Sequence, residues 1–219
     1  IIEEVARVCG ASSLIPAVNK LGSLPLILSG TKEQKERWLT QLAKGKGFSY
    51  CLSESEAGSD ASALKTKAER NGDSWVINGS KKWISNAGIS EFYTVIAQTD
   101  PSKGSKGITA FIIEKSDAGI SFGAPEKKMG FRGSPTREVY FDNVTIGDDR
   151  RISEVGAGFS LAMDTLDHTR ITIAAQALGI AQGALDVATK YSHERKQFGK
   201  EIFDFQGVQF MLADMAMNI

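Results

Sequence analysis

The chain has 219 residues, of which 42% are hydrophobic and 24% are charged, with 22 glycines and 5 prolines. This composition is that of an ordinary globular protein and excludes collagen, low-complexity disorder and a disulfide scaffold. Lys and Arg together number 26, as do Asp and Glu, so the formal net charge is zero. The chain therefore lacks the basic surplus of a nucleic-acid-binding or membrane-surface protein.

Cysteine and histidine are both scarce in this chain. Cys9 and Cys51 have no partner at metal-ligand spacing, so we interpret them as buried apolar residues of a protein in a reducing compartment. His168 and His193 are too few for a zinc site, and no metal is expected. The sequence contains neither a run of about 18 apolar residues nor a signal-peptide pattern, which predicts a soluble protein.

The first 47 residues have the spacing of helices. Their apolar residues follow a helical period from Ile1 to Leu21. Two glycines and two prolines are expected to interrupt it: Gly10, Pro16, Gly22 and Pro25. A further helix is predicted over residues 31–43, where Thr31 and Gln34 form a capping-box pair. The chain thus begins with a helical portion.

Between residues 48 and 155 the pattern changes to short strands and turns. Alternating or β-branched runs predict strands over 65–70, 73–77, 92–98, 108–114 and 138–141. The dipeptide Asn71-Gly72 predicts a two-residue type I′ hairpin between the first two strands, and a second such dipeptide, Asn78-Gly79, follows at once. Strands this close together, with no helices between them, indicate an antiparallel sandwich or barrel.

From Gly156 the pattern is helical again. Residues 159–192 are rich in Ala and Leu and lack proline, which predicts one long bundle helix. Gly199 interrupts this pattern, and a second amphipathic helix is expected from Asp204 to the chain end. No initiating methionine is present and both ends fall inside helical patterns, so we expect sequence to be missing at both ends.

These patterns predict an α+β fold in three parts. The first, residues 1–47, is the last part of an N-terminal helical domain. The second, residues 48–155, is a central antiparallel β-sandwich or barrel domain. The third, residues 156–219, contains the first helices of a C-terminal helical bundle.

Three short motifs carry side chains suited to binding a ligand. The run YCLSE at 50–54 leads into EAGSD at 56–60, where glycine and hydroxyl residues at a strand exit let backbone N–H groups approach a phosphate. The run KWISN at 82–86 places an aromatic ring and a hydroxyl on one strand face. The run ERKQFG at 194–199 ends the long helix with an arginine that can reach a pyrophosphate. Taken singly, the first motif is more typical of an ordinary turn, the second of a core tryptophan and the third of a solvated charged run.

Taken together, the motifs resemble the acyl-CoA dehydrogenase family, and the resemblance covers the whole chain. It is carried, in family order and spacing, by the runs YCLSE and AGSD, KKWISNAG, GFRGSPTREVYFDNV, GAGF, LDHTR, and ERKQFG with FDFQGVQFMLADMAM. The resemblance is to bacterial members of short, medium or branched acyl preference. It implies FAD-dependent α,β-dehydrogenation of a saturated acyl-CoA to the trans-2-enoyl-CoA in fatty acid β-oxidation, with electrons passed to an electron-transfer flavoprotein.

The resemblance also implies which residues bind FAD. In the first two motifs they are Tyr50, Leu52, Ser53, Gly58, Ser59, Trp83, Ile84 and Ser85, and after the long helix they are Arg195, Phe198, Phe205 and Gln206. Arg195, Phe198 and Gln206 match positions that contact the FAD of a neighbouring subunit, which implies a homo-oligomer, a dimer of dimers. Ser53 and Ser85 stand where the family usually has threonine, a change that keeps the hydroxyl and loses a methyl group.

The acyl-CoA substrate is implied to contact a second set of residues, Ser59, Leu166, Asp167, Thr169 and Arg170. The family's catalytic base is a glutamate, which in one branch occupies the position of Thr169. A threonine hydroxyl cannot serve as that base, so no catalytic residue is assigned and the base is expected beyond Ile219.

Other functions remain open at this point. One is an acyl-CoA oxidase of the same fold, in which oxygen reoxidises the flavin. Another is a flavin- or acyl-CoA-binding fragment without catalysis, and a third is a purely structural scaffold. The resemblance implies a cytoplasmic location in a bacterium, or the mitochondrial matrix in a eukaryote.

Overall fold

A computed structural model describes residues 1–219, and its chain forms two compact units. One unit comprises residues 1–15 and 170–219, and the other comprises residues 16–169. The expected boundaries near residues 47 and 155 stay predictions. The predicted order of N-terminal helices, central β-structure and C-terminal helices is confirmed.

Three helices precede the sheet: α1 (Ile2–Val8), α2 (Gly10–Ser29) and α3 (Lys32–Ala43). The capping box of α3 is confirmed, because the Thr31 hydroxyl accepts a hydrogen bond from Gln34 N at 3.2 Å and Gln34 Oε1 accepts one from Thr31 N at 2.9 Å. The helical pattern is interrupted at Cys9, which has an extended conformation between α1 and α2. The interruption expected at Gly10 therefore lies one residue earlier.

The other expected interruptions of α2 are wrong, since Pro16, Gly22 and Pro25 all lie inside this helix. Each proline removes one backbone hydrogen bond. Burial of neighbouring side chains such as Leu26 outweighs that loss. Gly22 is required by packing, because a Cβ there would come 2.8 Å from Phe48 Cβ.

Seven strands form one hydrogen-bonded sheet. They are β1 (Phe48–Cys51), β2 (Lys67–Asn71), β3 (Ser74–Ser85), β4 (Phe92–Gln98), β5 (Ile108–Glu114), β6 (Ile120–Phe122) and β7 (Thr136–Gly147). The order is β1-β4-β2-β3-β7-β6, with β5 also paired to β4. Apolar side chains cover both faces, as β5 shows: Ile112 belongs to one buried cluster and Phe111 to the other.

The sheet is not purely antiparallel, which corrects one part of the prediction. Strand β1 runs parallel to β4, and β2 meets the end of β4 in a parallel pairing of Lys67 with Gln98. Parallel neighbours need a long crossover, and β2 and β3 lie within the stretch that connects β1 to β4. A pairing between such distant segments leaves no local signal in the sequence.

The two Asn-Gly dipeptides also differ from expectation. Asn71 pairs with Ser74, so the turn residues are Gly72 and Asp73, and only Gly72 has a positive φ, 61°. This is the pattern of a type II′ turn rather than type I′. The second dipeptide makes no turn: β3 continues through Gly79, whose φ of 142° accompanies a close approach to Thr66.

The C-terminal part contains α4 (Gly158–Glu194), the short strands β8 (Lys196–Gln197) and β9 (Lys200–Glu201), and α5 (Gln206–Asn218). Gly199, where an interruption was expected, has a φ of 80° in the turn between β8 and β9. Helices α2 and α4 are long and apolar enough to cross a membrane by length and composition alone, a property shared by core helices of soluble proteins. Cys51 is buried as expected, but Cys9 is exposed, so the prediction for Cys9 is wrong.

Candidate functional site

A cavity of about 480 Å³ lies within the unit formed by residues 16–169, at the ends of β1 and β3. We call it the strand-end cavity. It is lined by Val18, Leu21, Tyr50, Leu52, Ser53, Gly58, Ser59, Asp60, Ala61, Ser62, Trp83, Ile84, Ser85, Phe159, Met163 and Leu166. A volume of this size is typical of small-molecule and cofactor sites. Two motifs that are separated by more than twenty residues in the sequence therefore line one cavity.

The chain segment after β1 supplies seven of the sixteen residues that line the cavity. We call residues 52–66 the 52–66 loop. Gly58 is informative, because no protein atom lies within 4 Å of the position that a Cβ would occupy and its φ is not in the left-handed region. Neither packing nor backbone conformation requires glycine here. The open space beside Gly58 is therefore available to a bound ligand.

Trp83 lies in an irregular segment of β3. Three steps along β3, from Lys81 to Ile84, match only two steps along β7, from Val139 to Arg137, which defines a bulge. Within the bulge Trp83 has a φ of 62°, in the left-handed region that bulky residues rarely adopt. Its side chain is 56% exposed beside the cavity, with the Lys82 ammonium 5.1 Å from its ring centre. Such strained positions are concentrated at binding sites.

The cavity wall carries polar groups without protein partners. The Tyr50 hydroxyl is buried and has no hydrogen-bond partner. Burial raises the pKa of this phenol, with a smaller contribution from neighbouring Cys51, so the group stays protonated and can donate. The hydroxyls of Ser53, Ser59 and Ser85 also form no hydrogen bond within the protein. A polar ligand would satisfy the Tyr50 hydroxyl, as a buried polar atom requires, and could also bind the half-buried Ser53 and Ser85 and the exposed Ser59.

A buried ion pair lies behind the cavity wall. Lys81 Nζ is 2.7 Å from Glu54 Oε1, and these side chains are 0% and 8% exposed. Burial disfavours the charged form of Glu54, but the Lys81 ammonium and several hydrogen bonds outweigh it and hold the pKa of Glu54 below its usual value. Burial lowers the pKa of Lys81, which Glu54 partly offsets. Sequence analysis assigned no role to either residue.

The helical side of the cavity was largely missed. Phe159, Met163 and Leu166 have i, i+4, i+7 spacing on α4 and form one wall, but only Leu166 was predicted as a site residue. Val18 and Leu21 of α2 line the cavity as well and were not predicted. A search for helical spacing around the predicted substrate segment would have found the α4 residues.

The remaining predicted substrate residues do not line this cavity. Thr169 is buried, and its hydroxyl donates to the carbonyl oxygens of Thr165 at 2.8 Å and Leu166 at 3.3 Å. Asp167 is exposed on the same helix, and Arg170 is exposed and belongs to the other compact unit. The structure therefore brings Ser59 and Leu166 together out of the five predicted substrate contacts.

The third motif lies in the unit formed by residues 1–15 and 170–219, and its side chains are exposed. Phe198 is 93% exposed with a φ of 51°, and its ring meets that of Phe205 edge to face at 6.1 Å. The Arg195 side chain forms no hydrogen bond or ion pair. Gln206 is the first residue of α5, directly after Phe205. This segment presents an unpartnered arginine and an exposed aromatic ring.

Comparison with known families identifies the chain. Residues 1–46, 49–144 and 156–219 match the N-terminal, middle and C-terminal domains of acyl-CoA dehydrogenases, respectively. The chain belongs to the acyl-CoA dehydrogenase family, a family of flavoprotein oxidoreductases. The resemblance that the sequence motifs suggested is confirmed.

Relatives and solved structures agree with this assignment. The probable acyl-CoA dehydrogenase fadE25 of Mycobacterium leprae is 59% identical over 220 residues, and the match covers 100% of this chain and 57% of that protein. The caffeyl-CoA reductase-Etf complex subunit CarC of Acetobacterium woodii is 45% identical, with 100% and 58% covered. The structure of butyryl-CoA dehydrogenase from Megasphaera elsdenii matches with a TM-score of 0.96 at 43% identity, covering 99% of this chain and 57% of that one. The chain thus spans a little over half the length of these relatives.

Proposed function

We propose that this chain forms the FAD-binding part of an acyl-CoA dehydrogenase that converts a saturated acyl-CoA to the trans-2-enoyl-CoA. The observation that carries the proposal is the strand-end cavity, in which eight residues expected to contact FAD from two separate motifs share one wall. The proposal is supported further by the family membership of the whole chain.

The residues of the cavity fit such a cofactor. The unpartnered Tyr50 hydroxyl and the free hydroxyls of Ser53 and Ser85 are available to the polar edge of a ring system. The open space at Gly58 allows close approach of a ligand to the backbone. When bound, FAD supplies the redox chemistry of the reaction by accepting hydride, which no amino-acid side chain can do. The chain supplies orientation and shelter from water.

The acyl side of the reaction is assigned to the α4 face of the cavity. Phe159, Met163 and Leu166 offer an apolar wall that an acyl chain can contact. Ser59 would contact the thioester part of the substrate, and Asp167 and Arg170 its CoA part. Thr169 is not assigned to proton abstraction, because a neutral hydroxyl is too weak a base, and its side chain instead donates to backbone carbonyls of its own helix. We propose that a glutamate outside residues 1–219 is the base.

We further propose a homotetrameric dimer of dimers that passes electrons to an electron-transfer flavoprotein. Arg195, Phe198, Phe205 and Gln206 would contact the FAD of a neighbouring subunit, and the exposed Phe198 ring and unpartnered Arg195 suit such a contact. The Acetobacterium relative is named as a subunit of an Etf complex, which supports the choice of electron acceptor. We also propose a cytoplasmic location; the relatives named above are bacterial.

The experiment is an anaerobic titration of the purified full-length protein with saturated acyl-CoA thioesters of several lengths, starting with butyryl-CoA. We expect a bound yellow flavin whose visible absorption bleaches and is restored by electron-transfer flavoprotein. Purification without flavin and failure to bind added FAD would refute the proposal. In a parallel sample opened to air, reoxidation by oxygen at the rate of turnover, with one peroxide formed per substrate consumed, would identify an oxidase. A flavin that no thioester bleaches would identify a binding module.

A further inference from the structure

Lys81 and Glu54 are the two buried charged side chains of this chain. A buried ion pair is weak evidence for stability, because removing two charges from water costs about as much as their attraction returns. Apolar side chains of similar size would fill the same volume with less cost. The position of the pair behind the strand-end cavity therefore calls for a role beyond stability.

The pair connects three segments around the cavity. Lys81 Nζ donates to the Leu52 carbonyl oxygen at 3.0 Å as well as to Glu54. The Glu54 carboxylate accepts from Lys65 N at 2.7 Å and from Thr66 N at 3.0 Å. One end of the 52–66 loop is thus tied to its other end, and both ends are tied to β3.

The lysine contact determines the orientation of a peptide group in the cavity wall. Because a trans peptide is planar, directing the Leu52 carbonyl toward Lys81 turns the N–H of Ser53 to the opposite side. That N–H donates to no protein atom, and Ser53 lines the cavity. The Ser53 carbonyl oxygen is held separately, since it accepts from Lys82 N at 2.8 Å.

We propose that the Lys81–Glu54 pair is a positioning pair, which holds the 52–66 loop in its FAD-binding shape and aims the Ser53 N–H at the cofactor. This inference rests on the proposed function. Between its anchored ends the loop contains only a 3₁₀ turn at Ala61–Ala63 and a backbone bridge from Ala57 to Glu54, a member of the pair itself. Its cavity-lining residues, including Gly58 and Ser59, therefore depend on the anchors for their placement.

The test uses the full-length protein and the double variant Lys81→Met/Glu54→Gln, in which neither charge remains buried. We expect the urea midpoint of the double-variant apoprotein to lie closer to the parental midpoint than that of Lys81→Met alone does. The single variant is less stable because it leaves Glu54 without its counter-ion. We expect its dissociation constant for FAD to rise about tenfold or more, since a misplaced loop loses hydrogen bonds to the cofactor. The vibronic structure of the flavin absorption band should also change.

The control is Asp148→Asn, which breaks the Asp148 to Arg151 ion pair away from the strand-end cavity. We expect it to lower the stability of the apoprotein and leave the FAD dissociation constant and flavin spectrum unchanged. Parental FAD affinity and spectrum in the double variant would overturn the positioning role. A loss of FAD affinity in the control as large as that in the double variant would also overturn it. A parental protein that binds no FAD would refute the proposed function itself.

A second measurement needs no variant. In hydrogen exchange of the parental apoprotein, the amides of Lys65 and Thr66 should exchange slowly before FAD is added, because Glu54 already holds them. Fast exchange of both amides that becomes slow only with FAD would mean that the cofactor builds the loop, and would overturn the inference.

Discussion

The two regions proposed to bind FAD differ in how much of their surroundings this chain itself provides. The 52–66 loop and the end of β3 enclose a cavity whose backbone is anchored by buried charges. Residues 195–206 instead present an exposed Phe198 and an Arg195 without a partner. The first region is prebuilt within one compact unit, whereas the second offers contacts that only another molecule can complete. Substitutions in the two regions should therefore affect FAD binding in different ways.

The largest effect is expected from Gly58→Leu. A Cβ at this position would meet no protein atom within 4 Å, so we expect folding to be preserved while the larger side chain excludes FAD from the cavity. We expect FAD affinity to fall by about a hundredfold or more, as steric overlap with a ligand typically costs several kcal/mol. The readout is a fluorescence titration of apoprotein with FAD. Gly130→Leu is the matched control, because Gly130 also has open space around it but lies outside the cavity. Equal FAD binding by both variants would remove Gly58 from the site.

The exposed region should show a smaller loss. Arg195→Ala removes a side chain whose proposed partner is a phosphate across a subunit boundary, so FAD retention should fall by about ten- to a hundredfold. Thermal unfolding of the apoprotein should be unchanged, since the guanidinium has no partner within the chain. Lys196→Ala, which removes the adjacent exposed cation, should retain FAD. Unchanged flavin occupancy in Arg195→Ala would count against the contact.

A still smaller effect is expected from Ser85→Ala in the cavity. Loss of one neutral hydrogen bond costs about 1 kcal/mol, so the FAD dissociation constant should rise about fivefold. Ser85→Thr keeps the hydroxyl and should bind FAD as the parent does. Equilibrium dialysis of the three proteins gives the comparison. If alanine and threonine variants bind equally well, the hydroxyl has no role.

The smallest effect concerns a pair outside both regions. Hydrogen bonds from Arg151 and Trp75 lower the pKa of Asp148 from 3.8 to about 2. A carboxyl group with a lowered folded-state pKa stabilises the fold above its unfolded pKa, and this contribution is lost as the pH falls from about 4 to about 2. Because the Asp148 side chain is 35% exposed, solvent screening limits the contribution to about 1 kcal/mol. The free energy of unfolding, measured with urea between about pH 4 and about pH 2, should fall less steeply with decreasing pH in Asp148→Asn than in the parent. Equal slopes in the two proteins would contradict the assignment.

Local signals explain the parts of the fold that the sequence predicted well. Strands β4 and β5 have the predicted bounds, because each is an apolar run between turn residues. The start of α3 follows from Thr31 and Gln34 alone. Both ends of the long helix α4 lie within two residues of the predicted positions, since no proline or strong turn signal interrupts the run.

Two of the failures depend on contacts between distant segments. Helix α2 continues through Pro16, Gly22 and Pro25, because packing outweighs the local cost of the prolines. The parallel pairing of β1 with β4 joins residues that are more than forty positions apart. Local preferences are weak compared with such tertiary interactions.

The candidate site shows the same contrast between local signals and contacts of distant segments. Motifs located Tyr50, Gly58, Trp83 and their neighbours, but not the pair that holds them. Lys81 lies in phase with the buried Trp75 and Ile77 of β3, so strand alternation places a lysine on the core side of the sheet. That signal points to a buried charge, yet its partner Glu54 lies on a different segment and could not be identified from spacing.

A crystal structure of the full-length protein with FAD bound tests most directly whether the strand-end cavity is the flavin site. We expect the ring system beside Leu52, Ser53, Trp83 and Ser85, with the Tyr50 hydroxyl and the Ser53 N–H within hydrogen-bond distance of the cofactor or of a water that bridges to it. A flavin bound elsewhere, with the strand-end cavity filled by solvent or by protein side chains, would contradict the assignment.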